Sequence, residues 1–289
     1  MKFFLLFFAS FAWYYVAAQP HNAAHPHTAV QPPDARAHIP AQPVEWPHHK
    51  KAAIVLTYDD GLLSQLDNAV PQLERAGFKA TFFLTSDLDS STIPRWRALA
   101  KKGFELANHT LYHPCAPSED NPVSSEHYTA YQVIREIEIM NRILFAIDGK
   151  NGRTYAYPCA ETTLGGKDYV DSLRRYGMVK YARVGGDTGA VITDFNHLDL
   201  LRIPSLGLED STTAETLIAY VKRVEQSGGM GIIMFHGIGG DYITTSSTVH
   251  QQLLDYLQKS KNTLWITTFQ QAMDYAVRKR SPTPASSIR

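Results

Sequence analysis

Cysteine is scarce in this 289-residue chain, which holds only two, and neither sign of charge is in excess. Two cysteines cannot form the set of bridges that holds small extracellular domains together, so a disulfide scaffold is excluded. The 28 basic side chains equal the 28 acidic ones in number. Because a chain without a basic excess has little with which to neutralise phosphates, we expect no nucleic-acid partner.

Long hydrophobic runs are also missing, apart from one at the amino terminus. That run, Phe3 to Val16, follows Lys2 and ends in two alanines, Ala17-Ala18. This order of charge, apolar core and small residues is typical of a secretory signal peptide, so we predict one over residues 1–18 and a secreted or periplasmic protein. A membrane anchor is the alternative. The run is shorter than the roughly 20 residues that a spanning helix needs, so we expect no stable membrane span after cleavage.

Residues 19–45 differ in composition from the rest of the chain, being rich in proline, alanine and histidine and poor in aliphatic residues. Such a segment cannot bury a hydrophobic core, and we expect a linker. Its histidines could alternatively collect metal for the domain that follows. We expect residues 46–279 to form one folded domain and residues 280–289 to form a flexible tail.

The folded domain alternates apolar, β-branched runs with stretches of helical spacing. We predict strands at Ala53–Gly61, Ala80–Leu84, Phe104–Ala107, Thr154–Tyr157, Val179–Arg183, Leu200–Ile203, Gly231–Phe235 and Leu264–Thr267. Helices are expected over about 62–76, 94–102, 127–147, 167–176, 213–226 and 249–259, with a last helix through Val277. This alternation predicts an α/β domain of parallel strands with crossover helices. The number of units favours a closed or nearly closed barrel, and a doubly wound open sheet is the alternative.

Three polar clusters follow directly after predicted strands, where α/β folds carry their sites. The first is Asp59-Asp60, the second runs from His109 to His113, and the third is His236. Histidines at i and i+4 of one helical turn face the same way and can bind a single cation, and a carboxylate from strand one would complete the set. Such a set leaves positions open for water, as catalytic zinc sites do. The alternative is a polar turn and ordinary histidines.

Four motifs in the same order resemble those of a known family, the NodB-like polysaccharide deacetylases of carbohydrate esterase family 4. They are TYDDG at 57–61, HTLYH at 109–113, YAYPC at 155–159 and IMFH at 233–236, and the resemblance spans nearly the whole domain from Ala52 to His236. It implies that residues 46–279 form a polysaccharide deacetylase catalytic domain, a distorted (β/α) barrel of seven or so parallel strands. The implied activity is metal-dependent hydrolysis of acetyl groups on a sugar.

The resemblance also implies a role for each matched residue. Asp59 would be the general base, and His236 the general acid. A divalent metal, expected to be Zn2+, would be held by Asp60, His109 and His113. The backbone N–H of Cys159 would stabilise the oxyanion, because Pro158 has no N–H to give.

The chain departs from the family pattern at two motifs. The third motif often carries an arginine that holds the catalytic aspartate, and here that position is Ala156; Arg183 could supply the charge instead. The fourth motif is not recognisable, and Asp187 and Asp199 are the candidates for orienting His236.

The two cysteines, Cys115 and Cys159, belong to neighbouring motifs. They either form a disulfide or remain two unrelated small side chains, because sequence does not give their separation.

The resemblance implies an acetylated glycan as the substrate, but no residue discriminates an acetamide from an acetate ester. Tyr157, Asp241 and Tyr242 are candidate substrate contacts. We expect an N-acetyl hydrolase; an O-acetyl esterase on xylan-type glycans is the alternative, followed by a glycan-binding protein without activity. A magnesium-dependent phosphoryl-transfer site is disfavoured, because imidazole suits zinc-like metals and magnesium prefers oxygen.

Overall fold

The fold is organised around one fully buried strand, β1 (Ala52–Asp60), in a computed structural model that describes residues 44–116, 124–186 and 189–280. Along one edge β1 pairs with β10 (Met230–Phe235). Its other edge is shared by β11 (Leu264–Thr267) at the start and β2 (Thr81–Leu84) at the end. All three pairings are parallel, which confirms the predicted α/β class and explains why β1 is apolar without alternation.

The sheet continues from β2 through β3 (Glu105–Asn108) and β4 (Thr154–Ala156) to β7 (Tyr181–Val184), again in parallel. Two short strands, β8 (Ile203–Pro204) and β9 (Leu206–Gly207), then pair with β7 and β10 respectively. Because only Ser205 separates them, this one segment joins the two edges and closes the barrel. The expected strand at Leu200–Ile203 was wrong in its bounds, because the pairing begins only at Ile203.

Helices cover the outside of the barrel. After β1 comes a π-helical turn, Gln65–Ala69, which leads into α1 (Val70–Ala76). The other helices are α2 (Ile93–Lys101), α3 (Ala130–Asp148), α4 (Val170–Tyr176), α5 (Ala214–Ser227), α6 (Ser247–Lys259) and α7 (Phe269–Arg278). Helix α3 begins later than expected because Thr129 and Gln132 form a capping box, and α4 does so because β5 (Thr163–Leu164) and β6 (Lys167–Asp168) form a hairpin.

The two faces of β1 lie in different hydrophobic clusters. Ile54, Leu56 and Tyr58 pack with the surrounding helices. Ala53 and Val55 lie in a second cluster with side chains of β2, β3 and β4, inside the barrel. Because side chains alternate along a strand, Asp59 continues the inner face at the carboxyl end of β1.

Trp46 is buried in this second cluster. Within residues 44–116, 124–186 and 189–280, no helix is long and apolar enough to cross a bilayer. The predicted signal peptide, nearly all of the predicted linker and the tail from residue 281 lie outside the described residues.

Candidate active site

The two aspartates at the end of β1 are both buried, with Asp59 2% and Asp60 8% exposed. Strand alternation would send them to opposite faces, but Asp60 has a φ of 76° and Gly61 one of 71°. This left-handed turn ends the alternation, and Gly61 adopts it without strain. Both carboxylates therefore reach the same rim of the barrel.

His109 and His113 lie on the loop that follows β3, not on a helical turn as expected. Thr110 has a φ of 67° and His113 one of 49°, values incompatible with a helix. The loop is held instead by side chains: Thr110 Oγ1 accepts from the backbone N of His113 at 3.0 Å, and the Glu136 carboxylate accepts from two further backbone N–H groups. The two imidazole rings nevertheless meet, with centroids 4.7 Å apart.

One oxygen of Asp60 faces both imidazoles. Its Oδ1 lies 3.4 Å from Nε2 of His109 and 3.5 Å from Nε2 of His113, and the three ligand atoms all lie within 4.8 Å of one another. His109 Nδ1 lies 2.9 Å from the backbone oxygen of Ala156. A carbonyl can only accept, so Nδ1 carries the proton and the lone pair of Nε2 points at Asp60.

The electrostatics of this group suit a cation. Burial lowers the pKa of His109 to about 3, so its imidazole is neutral. Burial and then the negative charge of Asp59 raise the pKa of Asp60 to about 6. Neutral imidazoles beside crowded carboxylates are the donor set that a divalent, zinc-like metal prefers, so the residues present fit such an ion.

Asp59 is paired with a buried arginine from a different strand. Arg183 Nη2 donates to Asp59 Oδ2 at 2.5 Å, and both side chains are almost completely buried. In the β4–β7 register Arg183 lies opposite Ala156, the position where the third family motif often carries its arginine. Burial alone would raise the pKa of Asp59, but the positive charge of Arg183 and its hydrogen bond lower it below its ordinary value.

Arg183 is itself fixed by its surroundings. Its Nη1 donates to Ser205 Oγ at 3.1 Å, and its guanidinium lies 4.9 Å from the centre of the Phe83 ring. Ser205 lies in the segment that closes the barrel and was not among the residues predicted from sequence. No local pattern marks it, because its contact with Arg183 depends on that closure.

His236 follows β10 and borders the same carboxylates. Its Nε2 lies 3.9 Å from Asp60 Oδ2, and its side chain is 13% exposed. Neither candidate for orienting it can be placed beside it. Asp199 is bonded to Arg174 and to the backbone of Leu201, so that expectation was wrong, and Asp187 lies outside the described residues. Nδ1 of His236 has no hydrogen-bond partner among the residues that the structure describes.

The three candidate substrate contacts have different surroundings. The hydroxyl of Tyr242 donates to Asp60 Oδ2 at 2.9 Å while 54% of the residue stays exposed. The Asp241 carboxylate accepts from the backbone N of Ser64 at 2.9 Å and so anchors the loop. Tyr157 is 2% exposed and donates to the backbone oxygen of Leu201, which places it in the core rather than on a groove.

Cys115 and Cys159 form a disulfide, with Cα atoms 5.7 Å apart. The bridge ties the loop after β3 to the loop after β4, and Cys115 Sγ lies 3.5 Å from His113 Nδ1. Cys159 has a φ of 50°, so the chain turns sharply after Pro158. The backbone N–H expected at the oxyanion thus belongs to a residue held on the same rim as Asp60 and His113.

Comparison with known proteins agrees with the motifs. The family model for polysaccharide deacetylase matches residues 47–180. A gellan lyase from Bacillus sp is 22% identical over 258 residues, covering 84% of this chain and 10% of its own. A peptidoglycan-N-acetylglucosamine deacetylase from Bacillus cereus is 31% identical over 96 residues, which is 33% of each protein. The chain therefore spans a third or less of the length of these relatives.

A solved structure supports the fold. A family 4 acetyl xylan esterase from Clostridium thermocellum, in complex with a cobalt ion, superimposes with a TM-score of 0.53 at 19% identity, covering 79% of this chain and 96% of the esterase. At this identity the likeness concerns the fold alone. The matched family model and the closed barrel of parallel strands agree with the four ordered motifs and support the resemblance of this domain to the NodB-like polysaccharide deacetylases of carbohydrate esterase family 4.

Proposed function

We propose that this protein is an exported, metal-dependent hydrolase that removes N-acetyl groups from an amino-sugar polysaccharide or oligosaccharide. The observation that carries the proposal is the convergence of Asp60, His109 and His113 on one point beside Asp59 and its partner Arg183. A metal-ligand set next to a separate, charge-stabilised carboxylate is the combination that hydrolysis of an unactivated acetyl group requires. The expected signal peptide supports export.

The metal in this proposal is Zn2+, held by Asp60, His109 and His113. Bound there, it would supply Lewis acidity toward the acetyl carbonyl and would lower the pKa of water to about 7. The hydrogen bond from His109 to Ala156 fixes the ring orientation that such an ion needs.

Asp59 acts as the general base. As the water oxygen attacks the acetyl carbon, the carboxylate accepts a proton from that water. Arg183 keeps Asp59 ionised, because its charge opposes the effect of burial on the pKa of this carboxyl. Oδ1 of Asp59 has no partner in the described part of the chain, so one oxygen is free to take the proton.

The remaining steps use groups on neighbouring loops. The backbone N–H of Cys159 donates to the oxyanion of the tetrahedral intermediate. His236, protonated, gives its proton to the sugar nitrogen as the C–N bond breaks, so that acetate and a free amine leave. Tyr242 and Asp60 form one wall of the site, and the exposed part of the Tyr242 ring is available to a sugar.

The second candidate is an O-acetyl esterase, because the same base, metal and acid serve an ester. The likeness to the acetyl xylan esterase supports an ester substrate. The likeness to the peptidoglycan-N-acetylglucosamine deacetylase supports an amide substrate. A binding protein without activity is disfavoured, because all five matched polar residues are present. Nucleic acid is not proposed as a partner, given the balance of charge.

The test is acetate release by zinc-loaded protein from two substrates in parallel, an N-acetylglucosamine oligomer and acetylated xylan. We expect release from the oligomer, and its loss in Asp59→Asn. Asp171→Asn is the matched control, because the side chain of Asp171 is fully exposed. Release from xylan alone would replace the amidase by the esterase, and release from neither, with one equivalent of metal bound, would contradict both.

A further inference from the structure

Gln65, at the start of the π-helical turn after β1, bridges the two strands that carry the proposed base and acid. It is completely buried, and its Nε2 donates to the backbone oxygen of Asp59 at 2.5 Å and to that of His236 at 3.1 Å. The pairing of β1 with β10 ends at Tyr58 opposite Phe235. Asp59 and His236 directly follow this last pair. The Gln65 amide therefore connects the two chains just beyond the point where their backbone pairing ends.

The orientation of this amide follows from its surroundings. Two carbonyl oxygens lie on one side of it, and only an NH2 group can satisfy both. The carbonyl of Gln65, Oε1, is buried and has no partner among residues 44–116, 124–186 and 189–280. An unpaired buried oxygen destabilises the fold, so packing alone does not explain a glutamine at this position. What Gln65 contributes is therefore the connection made by its NH2 group.

The turn that carries Gln65 is itself fastened to the loop after His236. Ser64 Oγ accepts from the backbone N of Ile238 at 3.1 Å, and Asn68 Nδ2 donates to the backbone oxygen of Ile238 at 2.7 Å. A π-helical turn places one more residue in a turn than an α-helix does, and such turns are frequent at functional sites. Ser64, Gln65 and Asn68 together bond to backbone groups of the chain that directly follows β10.

We propose that Gln65 is a positioning residue that fixes the relative placement of the base Asp59 and the acid His236. This inference rests on the proposed function, because it concerns the two proton transfers of that reaction. Both groups must reach one substrate, Asp59 at the water and His236 at the leaving nitrogen. A displacement of about 1 Å can cost as much as 100-fold in rate, so the bridge acts on turnover rather than on substrate binding.

The experiment compares Gln65→Met with Gln72→Met. Gln72 lies on the same helical segment and is also buried, but it bonds to His250 and to the backbone of Ser247, away from the site. We measure kcat and KM for acetate release from the N-acetylglucosamine oligomer, and Tm for each protein. We expect kcat of Gln65→Met to fall about 10- to 100-fold with KM within about twofold, while Gln72→Met loses stability and keeps its kcat.

A second variant, Gln65→Glu, supplies a readout that a merely structural role would not move. When the introduced glutamic acid is protonated, its O–H can donate to one of the two backbone carbonyls that Gln65 bridges. When it is ionised, it has no proton to donate to either carbonyl. The ratio of its kcat to that of the wild type should therefore rise as pH falls from about 8 to about 5.

Equal kcat losses in the two methionine variants would overturn the inference. If Gln65→Met does not fold, a ratio for Gln65→Glu that stays flat with pH would overturn it instead. A wild type that releases no acetate would overturn both this inference and the proposed function, whereas an active wild type with an unaffected Gln65→Met overturns this inference alone.

Discussion

The two rims of the barrel each bury carboxylates, but in opposite surroundings. At the amino rim, Glu105 at the start of β3 accepts from the hydroxyls of Thr81 and Thr154 and from the backbone N of Gln270. At the carboxyl rim, Asp59 has one charged partner, Arg183, and an oxygen with no partner in the described residues. A carboxylate whose oxygens both accept hydrogen bonds holds elements together, while one with a free oxygen can accept a proton.

The pKa values of Glu105 and Asp59 are shifted in opposite directions. Burial raises the pKa of Glu105, and the hydrogen bonds from neutral donors only partly oppose that rise. Burial also acts on Asp59, but the charge of Arg183 and its hydrogen bond bring the pKa of Asp59 below the ordinary value. Neutral donors thus surround Glu105, whereas a fixed positive charge keeps Asp59, the proposed base, ionised.

The largest expected effect separates Asp59→Asn from Glu105→Gln. Asp59→Asn should lower kcat by about 10²- to 10⁴-fold, because this variant lacks the proposed base. Glu105→Gln should keep kcat within about twofold but lose about 1–3 kcal/mol of unfolding free energy, because an NH2 group then faces hydroxyl donors. Acetate release and urea denaturation measure the two quantities. Similar kcat losses in both variants would end the distinction between the rims.

The next effect compares two buried arginines. Arg183 lies at the carboxyl rim with Asp59, and Arg153, next to β4 at the amino rim, pairs with Asp148 at 2.5 Å. Replacing either by methionine leaves a buried carboxylate unpaired, and we expect each variant to lose about 3–5 kcal/mol of stability. Only Arg183→Met should also lower kcat at neutral pH, by about tenfold or more, with little change in KM.

The pH profile of Arg183→Met checks the cause of that loss. Asp59 must be ionised to act as a base, so kcat/KM rises with pH through its pKa. In the wild type this pKa is lowered, and without Arg183 the effect of burial is opposed less strongly. The acidic limb should therefore move to higher pH in Arg183→Met and stay in place in Arg153→Met. If the acidic limb of the kcat/KM profile stays at its wild-type pH in both variants, the role given to Arg183 is contradicted.

The comparison also shows what the sequence could predict and what it could not. Runs such as Leu264–Thr267 specify a buried strand locally, and the structure has that strand with the same bounds. The segment around Ser205 forms two-residue strands that pair with opposite edges of the sheet, so its bounds depend on barrel closure. The order of the motifs predicted which side chains meet, because parallel strands end at one rim.

The predictions that were wrong at the site have a common cause, because each depends on contacts between residues that are distant in sequence. The loop from His109 to His113 was expected to be helical because of its spacing, but Glu136 of α3 and the hydroxyl of Thr110 bind its backbone N–H groups. Asp199 was a candidate partner for His236 and is instead bonded to Arg174 on α4. Gln65 lies within the helix predicted over about 62–76, and that prediction does not indicate what its buried amide binds.

A smaller effect is expected at the edge of the metal-ligand group. Tyr242→Phe removes the hydrogen bond to Asp60 Oδ2, which orients the other oxygen toward His109 and His113. Loss of such a supporting bond lowers metal affinity by about 10-fold. Tyr176→Phe is the control, because Tyr176 lies on α4 and is 55% exposed. Competition with a chromophoric zinc chelator gives both dissociation constants, and equal values would show that Tyr242 does not orient Asp60.

The proposed division of roles between the metal and Asp59 is tested most directly by adding Zn2+ to metal-stripped protein. The quantity measured is acetate release from the N-acetylglucosamine oligomer. For the wild type, we expect acetate release to rise to a plateau at one equivalent of Zn2+. Asp59→Asn should bind the same equivalent of Zn2+ without releasing acetate, because we propose Asp59 as the base and not as a metal ligand. Release that does not depend on added metal, or that persists in Asp59→Asn at the plateau, would contradict the roles given to the carboxyl rim.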